Sequence, residues 1–136
     1  RMLAESGVGK IGVLATEGTV RSGAYRTVAE QYGIGYAAPS KEDQEMLNHL
    51  IYGQIKCGIA PDYGVFREIA DRLLSDGCDR LVLGCTELSL IGRDKHLDPC
   101  LFADSLEILA YRTILACHKI PVGFREPFFP VPAPAD

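Results

Sequence analysis

The most reactive side chains in this 136-residue sequence are five cysteines, Cys57, Cys78, Cys85, Cys100 and Cys117. Their number is odd and none forms a CxxC pair, which argues against a disulfide framework or a zinc ribbon and for reduced thiols. Cys85 differs from the others in its neighbours, since it follows Leu81-Val82-Leu83-Gly84 and precedes Thr86-Glu87. A thiol at the tip of a strand is open to stabilisation as a thiolate by backbone N–H groups and by any helix that begins beyond it. Gly84 lets a ligand or a neighbouring backbone come close. Thr86 offers a hydroxyl and an N–H to a carboxylate, and Glu87 suits an ammonium group or a proton. The plainer alternative for Cys85 is a small buried hydrophobe.

Two further places carry usable chemistry. Thr16, Thr19 and Ser22 surround the expected start of the first helix, where free N–H groups and hydroxyls suit an anion such as a carboxylate. The alternative is that Thr16 or Thr19 is only an N-cap. Lys56 lies near a helix end as a possible cation for a substrate carboxylate, or as a solvated lysine favoured by the helix dipole. Its neighbour Cys57 reads as a structural thiol, Tyr25 as packing and Asp104 as a helix N-cap. His49 falls on the polar side of its helix, His96 in a charged loop and His118 at a helix end, so none reads as a base or a ligand. No metal-ligand spacing occurs, and no metal is expected.

These groups have to be positioned by strands and helices, which the hydrophobic pattern locates. Residues 10–15 (KIGVLA) form a buried strand, followed by a helix over residues 20–32 that Gly33 closes. Residues 34–38 give a weaker strand. Ser40, with Asp43 three residues on, starts a helix whose apolar face is Met46, Leu47, Leu50, Ile51 and Ile55, and Gly58 ends it. A second helix follows Pro61 with Val65, Phe66, Ile69, Ala70, Leu73 and Leu74 as its stripe and Gly77 as its stop. Residues 80–84 and 101–103 are two more strands, and a helix runs over residues 105–118. This order predicts an α/β fold: a mostly parallel four-stranded sheet with helices on both faces.

The expected organisation is a leading segment over residues 1–9, the α/β unit over 10–118 and a Pro-rich tail over 119–136. The tail holds Pro121, Pro127, Pro130, Pro132 and Pro134 and reads as extended or disordered. The chain opens on Arg1 rather than Met, which suggests a fragment or a processed chain. In such a sheet, ligands bind beyond the carboxyl ends of the strands. That selects three loops: residues 16–22, the turn after Ala38 and residues 85–90.

Composition removes other classes. The 14 Lys and Arg are interspersed with 18 Asp and Glu for a net charge of −4, which argues against a nucleic-acid-binding face. No apolar run approaches the roughly 20 residues of a membrane span and no charged-then-apolar leader opens the chain. A soluble, cytoplasmic protein is expected, with 47% hydrophobic residues to form its core.

The segment LVLGCTELSLI, residues 81–91, resembles the second cysteine signature of the aspartate/glutamate racemase family. GVLATEGTVRSGAY, residues 12–25, resembles the strand and loop that open the C-terminal lobe of these enzymes, with weaker similarity at residues 52–58 and 102–104. The resemblance implies one lobe of a two-lobed enzyme that racemises an amino acid without a cofactor. Two cysteines, one from each lobe, flank the substrate α-carbon; one thiolate removes its proton and the other thiol returns a proton to the opposite face. It implies Cys85 as one of these thiols, with Thr86, Glu87, Thr16, Thr19, Ser22 and Lys56 as substrate contacts. Family members are about twice this length and carry the other cysteine in a Cys-Asn-Thr type motif of the first lobe, and this sequence contains no such motif. Cys78, on the order of 20 Å from Cys85 along its strand, and likewise Cys100 and Cys117, belong to the far edge of the sheet. Glutamate racemases usually have His after the Cys-Thr pair, so Glu87 resembles the aspartate branch. Hydantoin racemases, maleate isomerases and arylmalonate decarboxylases share the lobe design. The implied partners are an acidic amino acid and either a first lobe or a second copy of the chain forming a homodimer that shares Cys85 across a dyad. The reading from a different class is a truncated or non-catalytic domain that binds a small carboxylate.

Overall fold

A computed structural model describes residues 2–124. Its centre is a sheet of four parallel strands: β1 (Lys10–Leu14), β2 (Gly35–Ala37), β3 (Arg80–Leu83) and β4 (Phe102–Asp104), in the order β2-β1-β3-β4. The strands expected from sequence are all present, because short apolar runs between turn residues are what a sheet covered on both faces requires. Alternation along the strands divides the interior. Leu14, Leu81 and Leu83 point into a larger core under the helices of one face. Ile11, Val13, Ala15 and Val82 point into a smaller core on the other face.

Among the described residues seven α-helices connect and cover the sheet. The leading segment is not featureless, since α1 (Met2–Glu5) packs Leu3 and Ala4 against the smaller core. The helix expected over residues 20–32 is two helices, α2 (Glu17–Ser22) and α3 (Ala24–Gln31), separated at Gly23. Gly23 takes the left-handed conformation with φ 69°, which turns the chain by one corner where an L side chain would be strained. After β2, α4 (Lys41–Asn48) is capped by Ser40, whose Oγ accepts from the Asp43 N–H at 3.1 Å. It continues as a π-helical turn over His49–Gln54 and a tight 3-10 turn over Ile55–Cys57, and ends at Gly58 as expected. Next comes α5 (Tyr63–Ser75), which buries Phe66, Ile69, Ala70 and Leu73 and stacks Phe66 between Tyr63 and Phe102 at 5.9 and 6.0 Å.

Residues 85–90, read from sequence as a loop, differ from that expectation. They begin α6 (Thr86–Asp94), which buries Leu88 and Ile91 against the larger core. Finally α7 (Ser105–Ala116) follows β4, with Asp104 as the expected N-cap accepting from Leu106 and Glu107 N–H. The expected Pro-rich tail lies, from residue 125 on, outside the described residues. Among the described residues no helix is long and apolar enough to cross a membrane.

The connections matter more than the count of elements. From β1 the chain goes by α2 and α3 to β2 at one side, whereas from β3 it goes by α6 to β4 at the other. The order reverses between β1 and β3. Loops that leave a parallel sheet in opposite directions open a crevice at such a point, and this is where α/β sheets bind ligands.

The two central strands are held together by a glycine. A Cβ on Gly12 would meet Leu81 Cδ2 at 2.7 Å, Cys78 Sγ at 3.2 Å and Leu73 Cβ at 3.3 Å. Gly12→Ala therefore overpacks the interface of β1, β3 and α5 and is expected to lower stability by about 1–3 kcal/mol in urea denaturation. An unchanged midpoint at an unchanged m-value would contradict this packing.

Candidate active site

Beyond the carboxyl end of β3, Gly84 donates its N–H to the Leu14 carbonyl at 2.8 Å. A Cβ at Gly84 would lie 3.0 Å from the Ala15 Cβ, 3.3 Å from the Tyr25 ring and 3.4 Å from that carbonyl. The glycine expected to admit a close neighbour does admit one, the tip of β1. Tyr25 is packing at this contact, as its spacing suggested.

Cys85 follows in extended conformation (φ −147°, ψ 155°) at the N-cap position of α6. Its partly buried side chain packs at the margin of the larger core. Burial pushes the thiol up to about 11, and the Glu87 carboxylate adds to that rise, while the Leu88 and Glu87 N–H groups oppose it. At neutral pH the isolated chain thus holds Cys85 as a thiol. For Glu87, burial works against ionisation, but its own N–H, the Thr86 hydroxyl, Lys56 and the Cys85 thiol together hold its carboxyl below the usual range. The Thr86 Oγ1 donates to Glu87 Oε2 at 3.1 Å.

Lys56 reaches this group from the other side. Its Nζ lies 3.6 Å from Glu87 Oε1 and 4.6 Å from the centroid of the Tyr52 ring. A pair this exposed, at 45% and 20%, stabilises a fold little, by about 0–1 kcal/mol. What it does is set a cation and an anion side by side next to a thiol. Cys57, one residue on, is exposed and directs its Sγ at the Tyr52 carbonyl, 3.2 Å away, so it belongs to its own helix end.

The second loop is at the tip of β1. Thr16 caps α2 by accepting from Thr19 N–H at 3.4 Å, and the two hydroxyls are 3.0 Å apart. Ser22 is not with them. It ends α2, donates to the Thr19 carbonyl at 2.7 Å and accepts from Ala24 N–H, so its hydroxyl serves the corner at Gly23. The sequence reading grouped it with the helix start because it began that helix at Val20. Two residues that the sequence reading passed over are close to this loop: Gln44 bonds the Ala15 carbonyl and Asn48 bonds the Glu17 N–H. The signal was there, since Gln44 shares the buried stripe of Leu47 and Ile51, where a polar residue needs a reason.

Other groups serve as supports. Ser89 donates to Asp104 Oδ1 at 2.8 Å and lies 3.5 Å from the Cys85 carbonyl, tying the first turn of α6 to the cap of α7. Cys78 is buried at the amino end of β3 and its thiol is raised by burial. His96 and His118 stand in left-handed turns at helix ends, with φ 49° and 56°. A groove of about 540 Å³ runs between α6 and α7 with Thr86 on its rim, but Cys85 is not in its wall. Cys85, Glu87 and Lys56 gather instead at the sheet's reversal point. Among the described residues no group of three His, Cys, Asp or Glu side chains is arranged to hold a metal ion.

The contact between Glu87 and Cys85 can be tested in this chain directly. Removing the carboxylate charge in Glu87→Gln is expected to lower the Cys85 thiol from about 11, because both the Coulombic and hydrogen-bond influence of Glu87 raise it. Iodoacetamide labelling of the Cys85 peptide, followed by mass spectrometry against pH, should shift its midpoint downward. A midpoint that stays or rises would contradict the contact.

The profile of the Asp/Glu/Hydantoin racemase family matches residues 1–111. An uncharacterised protein encoded in the region 3′ of pnlA in Pectobacterium carotovorum subsp. carotovorum is 32% identical over 106 residues, which are 77% of this chain and 71% of that protein. Glutamate racemase of Corynebacterium diphtheriae is 36% identical over 86 residues, 61% of this chain and 30% of the enzyme. Among solved structures, an aspartate racemase homologue from Pyrococcus horikoshii OT3 aligns with a TM-score of 0.73 at 27% identity, over 86% of this chain and 52% of that one. The chain thus spans about half of that structure and less than a third of the glutamate racemase. With the profile matched across all four strands and most of the helices, this chain belongs to the Asp/Glu/Hydantoin racemase family.

Proposed function

We propose that this racemase-family domain is the C-terminal lobe of a two-lobed, cofactor-independent racemase for aspartate or a related acidic amino acid, with Cys85 as one of its two proton-transfer thiols. One observation carries the reading: a partly buried thiol at the reversal point of the sheet, beside the paired Glu87 carboxylate and Lys56 ammonium. An amino-acid zwitterion presents the complementary pair. Its ammonium group faces Glu87, and a carboxylate faces Lys56 and the hydroxyls of Thr86, Thr16 and Thr19.

The chemistry follows from the protonation state. The α-proton leaves carbon for a thiolate, so a C–H bond breaks and an S–H bond forms while the electron pair spreads into the α-carboxylate. A thiol on the opposite face then loses its proton to the carbon and becomes the thiolate. Cys85, raised to about 11 by burial and Glu87, starts as the thiol and hence as the acid. When a substrate ammonium neutralises Glu87, the push on the thiol falls, and Cys85 is free to give up its proton and to act as base in the next cycle.

The second thiol comes, in this reading, from a second lobe. Cys78 stands at the amino edge of β3, Cys100 just before β4 and Cys117 at the end of α7, all away from the Cys85 edge. A partner body is favoured by α7, which buries no residue and exposes Leu106, Leu109 and Leu115. A second copy in place of a first lobe is favoured by the Pectobacterium relative, since a match of 106 residues already covers 71% of it. A homodimer would then share Cys85 from each copy across a dyad.

The test is exchange of the α-proton of L- and D-aspartate with deuterated water, followed by NMR, for the chain alone and with a first-lobe polypeptide, and with sedimentation of each. Exchange is expected in the two-body form and is expected to fall about 100-fold or more in Cys85→Ser. Exchange that survives Cys85→Ser would sink the assignment. Activity of a chain that sediments as a monomer would remove both two-body forms.

A further inference from the structure

We propose that Gln44 and Asn48 form a positioning relay that sets the β1–α2 loop for an amino-acid carboxylate, making ligand affinity depend on two side chains of α4. The proposal rests on the reading of the site as a carboxylate-binding racemase half-site.

Gln44 is 8% exposed, within the helix that crosses under the tip of β1. Its Nε2 donates to the Ala15 carbonyl at 2.9 Å and to Asn48 Oδ1 at 3.2 Å. Asn48 Oδ1 also accepts from the Glu17 N–H at 3.1 Å. The orientation of both amides is fixed by their partners, since a carbonyl only accepts and an N–H only donates. Ala15 requires the NH2 of Gln44, Glu17 requires the oxygen of Asn48, and the two amides then match each other. Together they grip the peptide groups on either side of Thr16.

In helix α2 the Thr16 hydroxyl accepts from the Thr19 N–H, while Asn48 takes the Glu17 N–H, the first free donor of that helix, so the relay fixes where the loop becomes helix. Helix α4 and its π-helical continuation are already anchored by buried Leu47, Leu50 and Ile51. The amide also leaves Gln44 Oε1 enclosed without a hydrogen-bond partner, which is unfavourable where an apolar residue would fit. What Gln44 gains at this site lies on its donor side, and its donor side holds the loop.

The full chain is titrated with L-aspartate by 15N–1H NMR, and Cys85 labelling by iodoacetamide is followed against pH without ligand. Gln44→Met keeps the length of the side chain and removes both N–H donors. It is expected to weaken aspartate binding at least tenfold, to shift the Thr16 and Glu17 amide signals and to leave the labelling profile of Cys85 unchanged. Gln44→Glu is expected to bind weakly while ionised and to recover toward wild-type affinity as its carboxyl takes up the proton that can bond Ala15. Should the Met variant not fold cooperatively, the Glu variant decides alone. Wild-type affinity in these variants would overturn the relay and leave the site reading intact, as would a labelling profile that moves along with affinity. A wild-type chain that binds no aspartate either alone or with a first-lobe polypeptide would overturn the carboxylate reading and the relay with it.

Discussion

The site depends on one close approach, that of the β3 tip to the β1 tip. Gly84 has no side chain, so its backbone can bond Leu14 and lie against Ala15 where any Cβ would be 3.0 Å from its neighbour. From these adjoining tips the chain departs to opposite faces, by α2 on one and α6 on the other. Divergence after contact is what opens a crevice. If the strands were spread apart to admit a larger residue, the Thr16 loop and the Cys85 arm would no longer bound one space. Packing in the middle of the sheet is thereby the condition for chemistry at its edge.

Electrostatics in that space favour neutrality over activation. A thiol at a helix N-cap is often pulled toward thiolate by the free N–H groups, yet here burial and a neighbouring carboxylate outweigh them. The Lys56–Glu87 pair does not reverse this, because the lysine compensates Glu87 and not the sulfur directly. A neutral thiol is poorly nucleophilic, which limits adventitious oxidation or alkylation.

Much of this was legible in the sequence, for identifiable reasons. The strands were, because double burial leaves short apolar runs between turn residues, as at residues 10–15 and 80–84. Helix α6 was not, because its N-cap is a cysteine that makes no side-chain cap bond, so the residue type that usually marks a helix start is missing at that position. The break at Gly23 was hidden since a lone glycine is tolerated inside a helix and only its φ distinguishes a corner. Lys56 and Glu87 were each singled out, but their meeting depends on the π-helical and 3-10 turns after α4, which no periodicity announces. Ser22 was misplaced by the same error of helix start that concealed Gly23.

Foldability and completeness come apart at α7. The larger core closes without it, through α4, α5, α6 and three strands, and the smaller one through α1 and α3. Yet α7 keeps Leu109 at 63% exposure and Leu106 at 46%, with Ile108 and Ile114 only half-buried between them. Apolar residues occur around this helix and not along one stripe, which is the pattern of a helix covered from two sides. The sheet supplies one side through β4. Contiguous apolar surface of this kind favours association. The core thus closes without α7, and the apolar face of α7 follows directly from β4, the strand whose Asp104 is tied through Ser89 to the first turn of α6 behind Cys85.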